Sequence, residues 1–513
     1  MELSNEQQIA YNKYIQGHNI FITGPGGSGK TTLIKKIRNH AYSNFKDVHV
    51  TALTGCAAIL LNCNAKTLHS WAGIGLGNNT TEVLVEKIKK NPFCKNIWKN
   101  TDILIVDEVS MLSLKLFNSL NIIGKIIRRN NKPFGGIQLI FSGDFFQLPP
   151  VGNSDEPETQ QFCFESDEWN NTFEIQNQVQ LIKIFRQKDQ THSIILNQIR
   201  EGKIKPKIND ILSTYVGRTL DPNLITEPTK LFPTKNKVKN INLIKMKQLV
   251  GENHLFNIKH ETSEEMTKNE KAKRSNFTTK EIELELKFLE GNLICDKELT
   301  LKIGAQVMSI INITNDCNQL IICNGSQGIV TEFCKITGCP YVLFNNGKKL
   351  IMTRHTWESE RIPGIGVSQV PLILAWALTI HKSQGSTLDA AEIDVGSGIF
   401  ECGQTYVALS RVKTLNGLYL TSFDATRIRI NKKAKDYYDN LKTFHNSLQS
   451  QEPQQSQEPQ KPQELQEPQQ ITETYQILEA EPIENIPMAE AIVVSDCNPD
   501  SNIRTIHFNQ FNL

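Results

Sequence analysis

The stretch HNIFITGPGGSGKTTLIKKIRNH, residues 18–40, decides how the first part of the chain folds. An apolar run, Ile20-Phe21-Ile22-Thr23, breaks into the turn Gly24-Pro25-Gly26-Gly27-Ser28-Gly29 and then into Lys30, Thr31, Thr32 and a helical pattern. Glycines in such a turn let backbone N–H groups curl around phosphate oxygens without Cβ clashes, and the following helix N-terminus adds its dipole. Lys30 is placed to reach the outer phosphates, and Thr31 to offer a hydroxyl to Mg²⁺. A glycine-rich turn that matched by chance would lack the strand before it and the helix after it.

Working outward, a second apolar run, Ile103-Leu104-Ile105-Val106, ends in Asp107-Glu108. An acid at the carboxyl end of a strand suits the Mg²⁺ shell, which assigns Asp107 there. Glu108 beside it can polarise an attacking water, which a hydrolase needs and a phosphate-transfer kinase does not. A third run ends in Ser142-Gly143-Asp144-Phe145-Phe146-Gln147-Leu148-Pro149-Pro150, where Gln147 can meet the γ-phosphate or the water. HNIFIT (18–23), VHVTAL (48–53), DILIVDE (102–108), GIQLIFSGD (136–144) and PLILAWAL (371–378) alternate with helical patterns. Continuous runs of this kind predict parallel strands covered on both faces, an α/β fold.

Composition bounds the rest. At 513 residues the chain exceeds one core, and 39% hydrophobic with 21% charged residues supports several. No apolar run approaches the roughly 20 residues that span a bilayer, so no membrane association is expected. The start, MELSNEQQIAYNKY, has neither the basic nor the apolar region of a secretory or mitochondrial presequence. Eleven cysteines without a CxxC pair point to a reduced compartment rather than to disulfides or a structural metal. The stretch around 251–290 is highly charged and reads as a solvated insertion. Residues 303–370, with short runs split by Gly and Asn, read as a small β-barrel inserted into an α/β lobe. From 446 onward the chain is Gln-, Glu- and Pro-rich, with QEP at 451–453, 457–459 and 466–468. Such a segment buries too little apolar surface to order itself, so 446–513 reads as a disordered acidic tail.

Taken together, the motifs resemble the Pif (petite integration frequency) family of superfamily 1B DNA helicases, from residue 3 to about 424. Leu3-Ser4-Asn5-Glu6-Gln7 is similar to its Q motif, which implies that Gln7 reads adenine. Leu53-Thr54-Gly55-Cys56-Ala57-Ala58 and Thr67-Leu68-His69-Ser70-Trp71-Ala72-Gly73-Ile74-Gly75 resemble motifs Ia and Ib. Ser110-Met111-Leu112, Arg128-Arg129 and Pro133-Phe134-Gly135-Gly136 resemble the family signature. Phe185-Arg186-Gln187, Thr379-Ile380-His381-Lys382-Ser383-Gln384-Gly385-Ser386-Thr387 and Tyr406-Val407-Ala408-Leu409-Ser410-Arg411 resemble the motifs of a second lobe.

The resemblance implies two RecA-like P-loop lobes: 1–180, with a wedge insertion at about 73–100, and 181–302 joined to 371–445. An SH3-like β-barrel insertion would occupy 303–370. It implies ATP and Mg²⁺ as cofactors, Gly24 to Thr32 and Gly385 around the nucleotide, and Arg186 and Arg411 as arginine fingers. It implies DNA contacts at Thr54, Gly55, His69, Trp71, Thr379, His381, Lys382 and Ser383. The implied activity is ATP-driven 5′-to-3′ translocation on single-stranded DNA and unwinding of forks, by a monomer in the absence of DNA. An ATP-gated clamp, a translocase that does not unwind and an RNA-directed helicase share the same core. The implied compartment is an intracellular site of DNA replication, nuclear or viral. With the Q motif at Leu3, the chain reads as a minimal version from a large DNA virus or a lower eukaryote.

Charge supports a nucleic-acid partner once the tail is separated. The whole chain has 56 basic and 54 acidic residues, a net charge of +2. Residues 451–513 hold only Lys461 and Arg504 against eleven acids, leaving 54 basic and 43 acidic residues, +11, in 1–450. The tail is thus a candidate both for contacting a protein partner and for competing with DNA. Truncation at 446 is expected to leave ATPase activity intact and to tighten non-specific DNA binding. Unchanged affinity and salt dependence in a binding titration would refute the competition.

Overall fold

The computed structural model describes residues 3–449, except 62, 64, 76, 186–188, 223, 264–265, 294, 315–319, 360–361, 397–398 and 400. Six strands form one parallel sheet: β1 Ile20–Thr23, β2 Val48–Ala52, β3 Lys66–Thr67, β4 Ile103–Asp107, β5 Gln138–Gly143 and β6 Gln178–Gln180. Their spatial order is β3-β2-β4-β5-β1-β6, with every pairing parallel. The unbroken apolar runs follow from burial on both faces, and the strand period of two sorts their side chains. Phe21, Leu104, Val106, Leu139 and Phe141 enter one core with Trp98 and Phe117. Ile20, Ile22, Ile103, Ile105 and Ile140 enter the other, against Ile34 and Ile37 of the helix Lys30–Ser43.

A second parallel sheet has the order Ala377–Thr379, Thr229–Phe232, Ala391–Val395, Leu418–Phe423. It packs with the helices Gln190–Glu201, Pro206–Ser213 and Gln404–Leu409 around Ile195, Ile199, Leu231, Ile393 and Val407. Both α/β lobes expected from the sequence are therefore present. Among the described residues, no helix is long and apolar enough to cross a membrane.

Three expected boundaries move. The run PLILAWAL is not one strand. Leu372–Leu374 joins an antiparallel sheet with Lys349–Ile351, Pro340–Phe344, Gln327–Phe333 and Gln306–Ser309, and only Ala377–Thr379 enters the second lobe's sheet. Ala375 is pinned at the crossing, its N–H donating to the Gln306 carbonyl and its own carbonyl accepting from Thr229 Oγ1.

The charged stretch 251–290 is not merely solvated. His254–Asn257 pairs with Glu298–Leu301, and Lys259–Thr262 pairs with Ile365–Gln369. On the helix Thr279–Asn292, Ile282, Leu286 and Leu289 face Ile362, Ile365 and Val367 in a small core of their own.

The last helix, Lys432–Gln449, was expected to end the second lobe at 445. It runs past that limit, and Ala434, Tyr438 and Leu441 are buried in the first lobe's core. The rest of the expected tail, from 450, lies outside the described residues.

Within 73–100, the helices Thr81–Lys90 and Pro92–Asn100 pack Leu84, Val85, Ile88 and Trp98 into that core. Trp98 is fully buried, packs against Trp71 with ring centroids 4.5 Å apart and planes tilted by 48°, and donates from Nε1 to the Ala72 carbonyl at 3.0 Å. Trp98→Ala is expected to destabilise the first lobe by about 3–5 kcal/mol, read as a lower urea midpoint with an unchanged slope.

Candidate active site

The glycine-rich turn follows β1, and its residues adopt conformations that a side chain would prevent. Gly29 has φ +83°, and a Cβ there would lie 2.5 Å from Gln7 Nε2. Gln7 Nε2 donates to the carbonyls of Ser28 (3.4 Å) and Gly29 (3.3 Å), while its Oε1 accepts from the Ser4 N–H at 2.9 Å. Gln7 thus locks the first helix, Asn5–Ile15, to the loop that Gly24 to Thr32 form. Phe185 arrives on the other side, its N–H donating to the Gly27 carbonyl at 2.8 Å and its ring half-exposed beside Gly29.

Lys30 Nζ donates to the carbonyls of Gly24 (2.7 Å) and Pro25 (3.0 Å). Burial lowers the pKa of Lys30 against the opposing pull of Asp144, Glu108 and Asp107. Burial raises the pKa of Asp107. Glu108 is pushed up to about 7 by burial and then by Asp107, against the pull of Lys30 and Arg411.

Glu108 also has φ +56° and ψ +41°, a left-handed conformation that costs a non-glycine residue energy. In this conformation its carboxylate accepts from Gln384 Nε2 of the second lobe at 3.1 Å. Gln384 precedes Gly385, whose φ of +82° bends the loop after the strand Ala377–Thr379. Arg411 is 3% exposed, its guanidinium held by the Val407 carbonyl (2.8 Å) and Ser410 Oγ (2.7 Å). Tyr406, on the helix Gln404–Leu409 just before it, accepts a hydrogen bond from the Gly26 N–H at 2.8 Å. Gln147 is buried, and its Oε1 and Ser28 Oγ are without a hydrogen-bond partner among the described residues. A phosphate and its attacking water fit those two orphaned groups and the lysine beside them.

The site therefore joins Gln7, the loop with Lys30, Asp107, Glu108 and Gln147 from one lobe to Gln384, Tyr406 and Arg411 from the other. Arg186 lies outside the described residues. The sequence matches a family model described as PIF1-like helicase over residues 2–210, and another described as DNA helicase Pif1, 2B domain, over 286–333. The chain is 35% identical over 496 residues to ATP-dependent DNA helicase PIF1 of Emericella nidulans, covering 85% of this chain and 63% of that one. It is 34% identical over 529 residues to protein 030L of Invertebrate iridescent virus 6, covering 88% of this chain and 96% of the other. The chain belongs to the PIF1-like helicase family.

Solved structures agree. Bacteroides sp Pif1 in complex with ADP-AlF4 matches with a TM-score of 0.69 and 29% identity, over 87% of this chain and 98% of that one. Bacteroides Pif1 with ADP-AlF3 and single-stranded DNA matches with a TM-score of 0.55 and 30% identity, over 88% and 98%. The chain spans less than two thirds of the Emericella nidulans helicase.

The residues expected on DNA divide sharply. Trp71 is fully buried against Trp98, because the short helix Leu68–Ala72 turns that face into the core, and presents no side-chain surface to a base. Ser383 is fully buried, with Oγ donating to the Ile380 carbonyl, and Thr379 is 4% exposed, with Oγ1 accepting from the Lys382 N–H. Both shape the loop rather than present a side chain. Thr54, Gly55, His69, His381 and Lys382 remain partly exposed. Thr54 Oγ1 accepts from the Ala57 N–H at the start of the helix Gly55–Leu61.

The family signature holds the lobe together. Arg128 donates to the carbonyls of Gly135, Trp98, Lys99 and Thr101 at 2.7–3.0 Å, capping the end of the helix Pro92–Asn100. Motif spacing alone did not reveal Gln384 or Tyr406 as partners of the first lobe, because each lies hundreds of residues from the group it touches.

Lys30→Ala is expected to abolish tight ATP binding, read by titration with a fluorescent nucleotide. Gln384→Ala is expected to leave that binding within about twofold while slowing hydrolysis about tenfold or more, as for loss of one positioned polar group.

Proposed function

We propose that the chain is an ATP-dependent DNA helicase that translocates 5′-to-3′ along single-stranded DNA and unwinds forked duplexes during replication, recombination or repair. The observation that carries this reading is the loop 379–387. It holds His381 and Lys382 partly exposed, and two residues later it sends Gln384 across the lobe boundary to Glu108. A strand gripped by the first pair therefore bears directly on the side chain that would activate water.

Asp107 and Thr31 are the residues that would hold Mg²⁺, which when bound supplies positive charge to the phosphates. Lys30 orients the outer phosphates, and Glu108 polarises the water and accepts its proton. Gln147 holds that water in line. Arg411 meets the charge that develops on the γ-phosphate, an effect of about 10³–10⁵ in rate in related phosphoryl transfers. Because Arg411 and Gln384 come from the second lobe, hydrolysis and release alter how strongly the lobes attract each other. That differential affinity is what stepping requires.

DNA bound to a Bacteroides Pif1 of this architecture supports single-stranded DNA as the partner. We further assign the packed helices of 73–100 to strand separation. The antiparallel sheet within 303–374 is the SH3-like element beside the DNA path. The protein acts as a monomer at sites of DNA replication, and the tail beyond 449 recruits a protein partner.

Strand displacement tests the reading. A duplex with a 5′ single-stranded tail should be unwound in the presence of ATP and Mg²⁺, a 3′-tailed duplex should not, and Glu108→Gln should unwind neither. ATP-dependent binding without displacement would establish a clamp instead, and stimulation by RNA alone would redirect the substrate.

A further inference from the structure

Asp144 directly follows β5 and is fully buried, and Arg200, in the last turn of the second lobe's helix Gln190–Glu201, is 4% exposed. Their side chains meet as a fork: Arg200 Nε donates to Asp144 Oδ2 at 2.9 Å, and Nη2 to Oδ1 at 2.8 Å. The guanidinium lies 4.7 Å from the Phe146 ring and 5.2 Å from the Tyr438 ring, and those rings stack at 4.8 Å and 22°. The Tyr438 hydroxyl accepts from the Phe145 N–H at 3.0 Å and pairs with Thr23 Oγ1 at 2.6 Å, one residue before the phosphate loop.

Burial alone would lower the Arg200 pKa, but Asp144 outweighs it and keeps the guanidinium charged. A desolvated pair of this kind tolerates no loss of one partner, and lysine cannot reproduce its planar fork.

The fork matters for what Asp144 does next. Its backbone carbonyl accepts from the Gln147 N–H at 2.9 Å, closing the turn that presents Gln147. Gly403, at the start of the helix bearing Tyr406, presses on the same turn: a Cβ there would lie 2.5 Å from the Gln147 carbonyl oxygen. Ile195, Leu196 and Ile199 anchor the Arg200 helix in the second lobe's core. Arg200 thus moves with that lobe while Asp144 belongs to the first.

We propose that Arg200 is a positioning residue for ATP hydrolysis: its fork on Asp144 sets the turn that presents Gln147, so that Gln147 reads the placement of the second lobe. This rests on the reading of Gln147 as a group that serves hydrolysis.

The test is a double-mutant cycle on the full chain, following ATP hydrolysis at saturating single-stranded DNA. Arg200→Lys should lower kcat about tenfold or more with KM for ATP within about twofold, because the loop around Lys30 is untouched. Gln147→Ala should also be slow, and Arg200→Lys/Gln147→Ala no slower than Gln147→Ala alone, since the two act through one group. Asp144→Asn, which keeps the turn's shape while weakening the fork, should show the same non-additivity and serves if Arg200→Lys fails to fold. An unaltered kcat in folded Arg200→Lys, or losses that multiply in the double variants, would overturn the role of Arg200. An unaltered rate in Gln147→Ala alone would overturn the hydrolytic reading of Gln147 on which it stands.

Discussion

Asp107, Glu108 and Asp144 stand at the carboxyl ends of two neighbouring parallel strands, Asp107 and Asp144 buried and Glu108 half-buried, with Lys30 as their near cation in the same lobe. A parallel sheet with helices on both faces brings the carboxyl ends of its strands together, so acids placed there share one small region. Arg200 pairs with Asp144, Gln384 donates to Glu108, and the charge of Arg411 bears on Glu108, all from the second lobe. Charged and hydrogen-bonded contacts therefore join the two lobes at this point, beside the apolar tie that Ala434, Tyr438 and Leu441 make to the first lobe's core.

A site completed in this way is sensitive to anything that alters its charge. On the proposed reading, a nucleoside triphosphate adds negative charge beside Lys30 and Arg411, and hydrolysis removes part of it. The loop 379–387 would then tie that change to the partly exposed His381 and Lys382, and the helix Gln404–Leu409 would tie it to the Gly26 N–H through Tyr406. The C-terminal helix takes part as well, because Tyr438 closes the aromatic stack around Arg200.

Residues 18–40 and 103–108 were legible in the sequence because their chemistry is local: a strand, a turn and a helix follow one another, and the functional groups sit at the junctions. Arg200 carried no such signal. Its partner is 56 positions away, and an arginine near a helix end ordinarily faces water. Trp71 sits in a stretch that resembles a DNA-contacting motif, but its neighbour in the core, Trp98, comes from a separate helix that motif spacing does not point to. In the charged stretch, Ile282, Leu286 and Leu289 recur at helical spacing and mark a buried face, but the surrounding Glu and Lys residues obscured it. The run 371–378 looked like one strand because sheet exchange at Ala375 leaves hydrophobicity unbroken.

The claim that charged contacts join the two lobes is tested most directly by the distance between the lobes. Bioorthogonal spin labels at the exposed residues Lys46 and Lys207 report it in the full chain. On addition of ADP and aluminium fluoride with Mg²⁺, the distance distribution should narrow and shift in the unsubstituted protein, and Arg411→Ala should lose most of that response while still binding nucleotide. An equal response in Arg411→Ala, or none in the unsubstituted protein, would contradict the account.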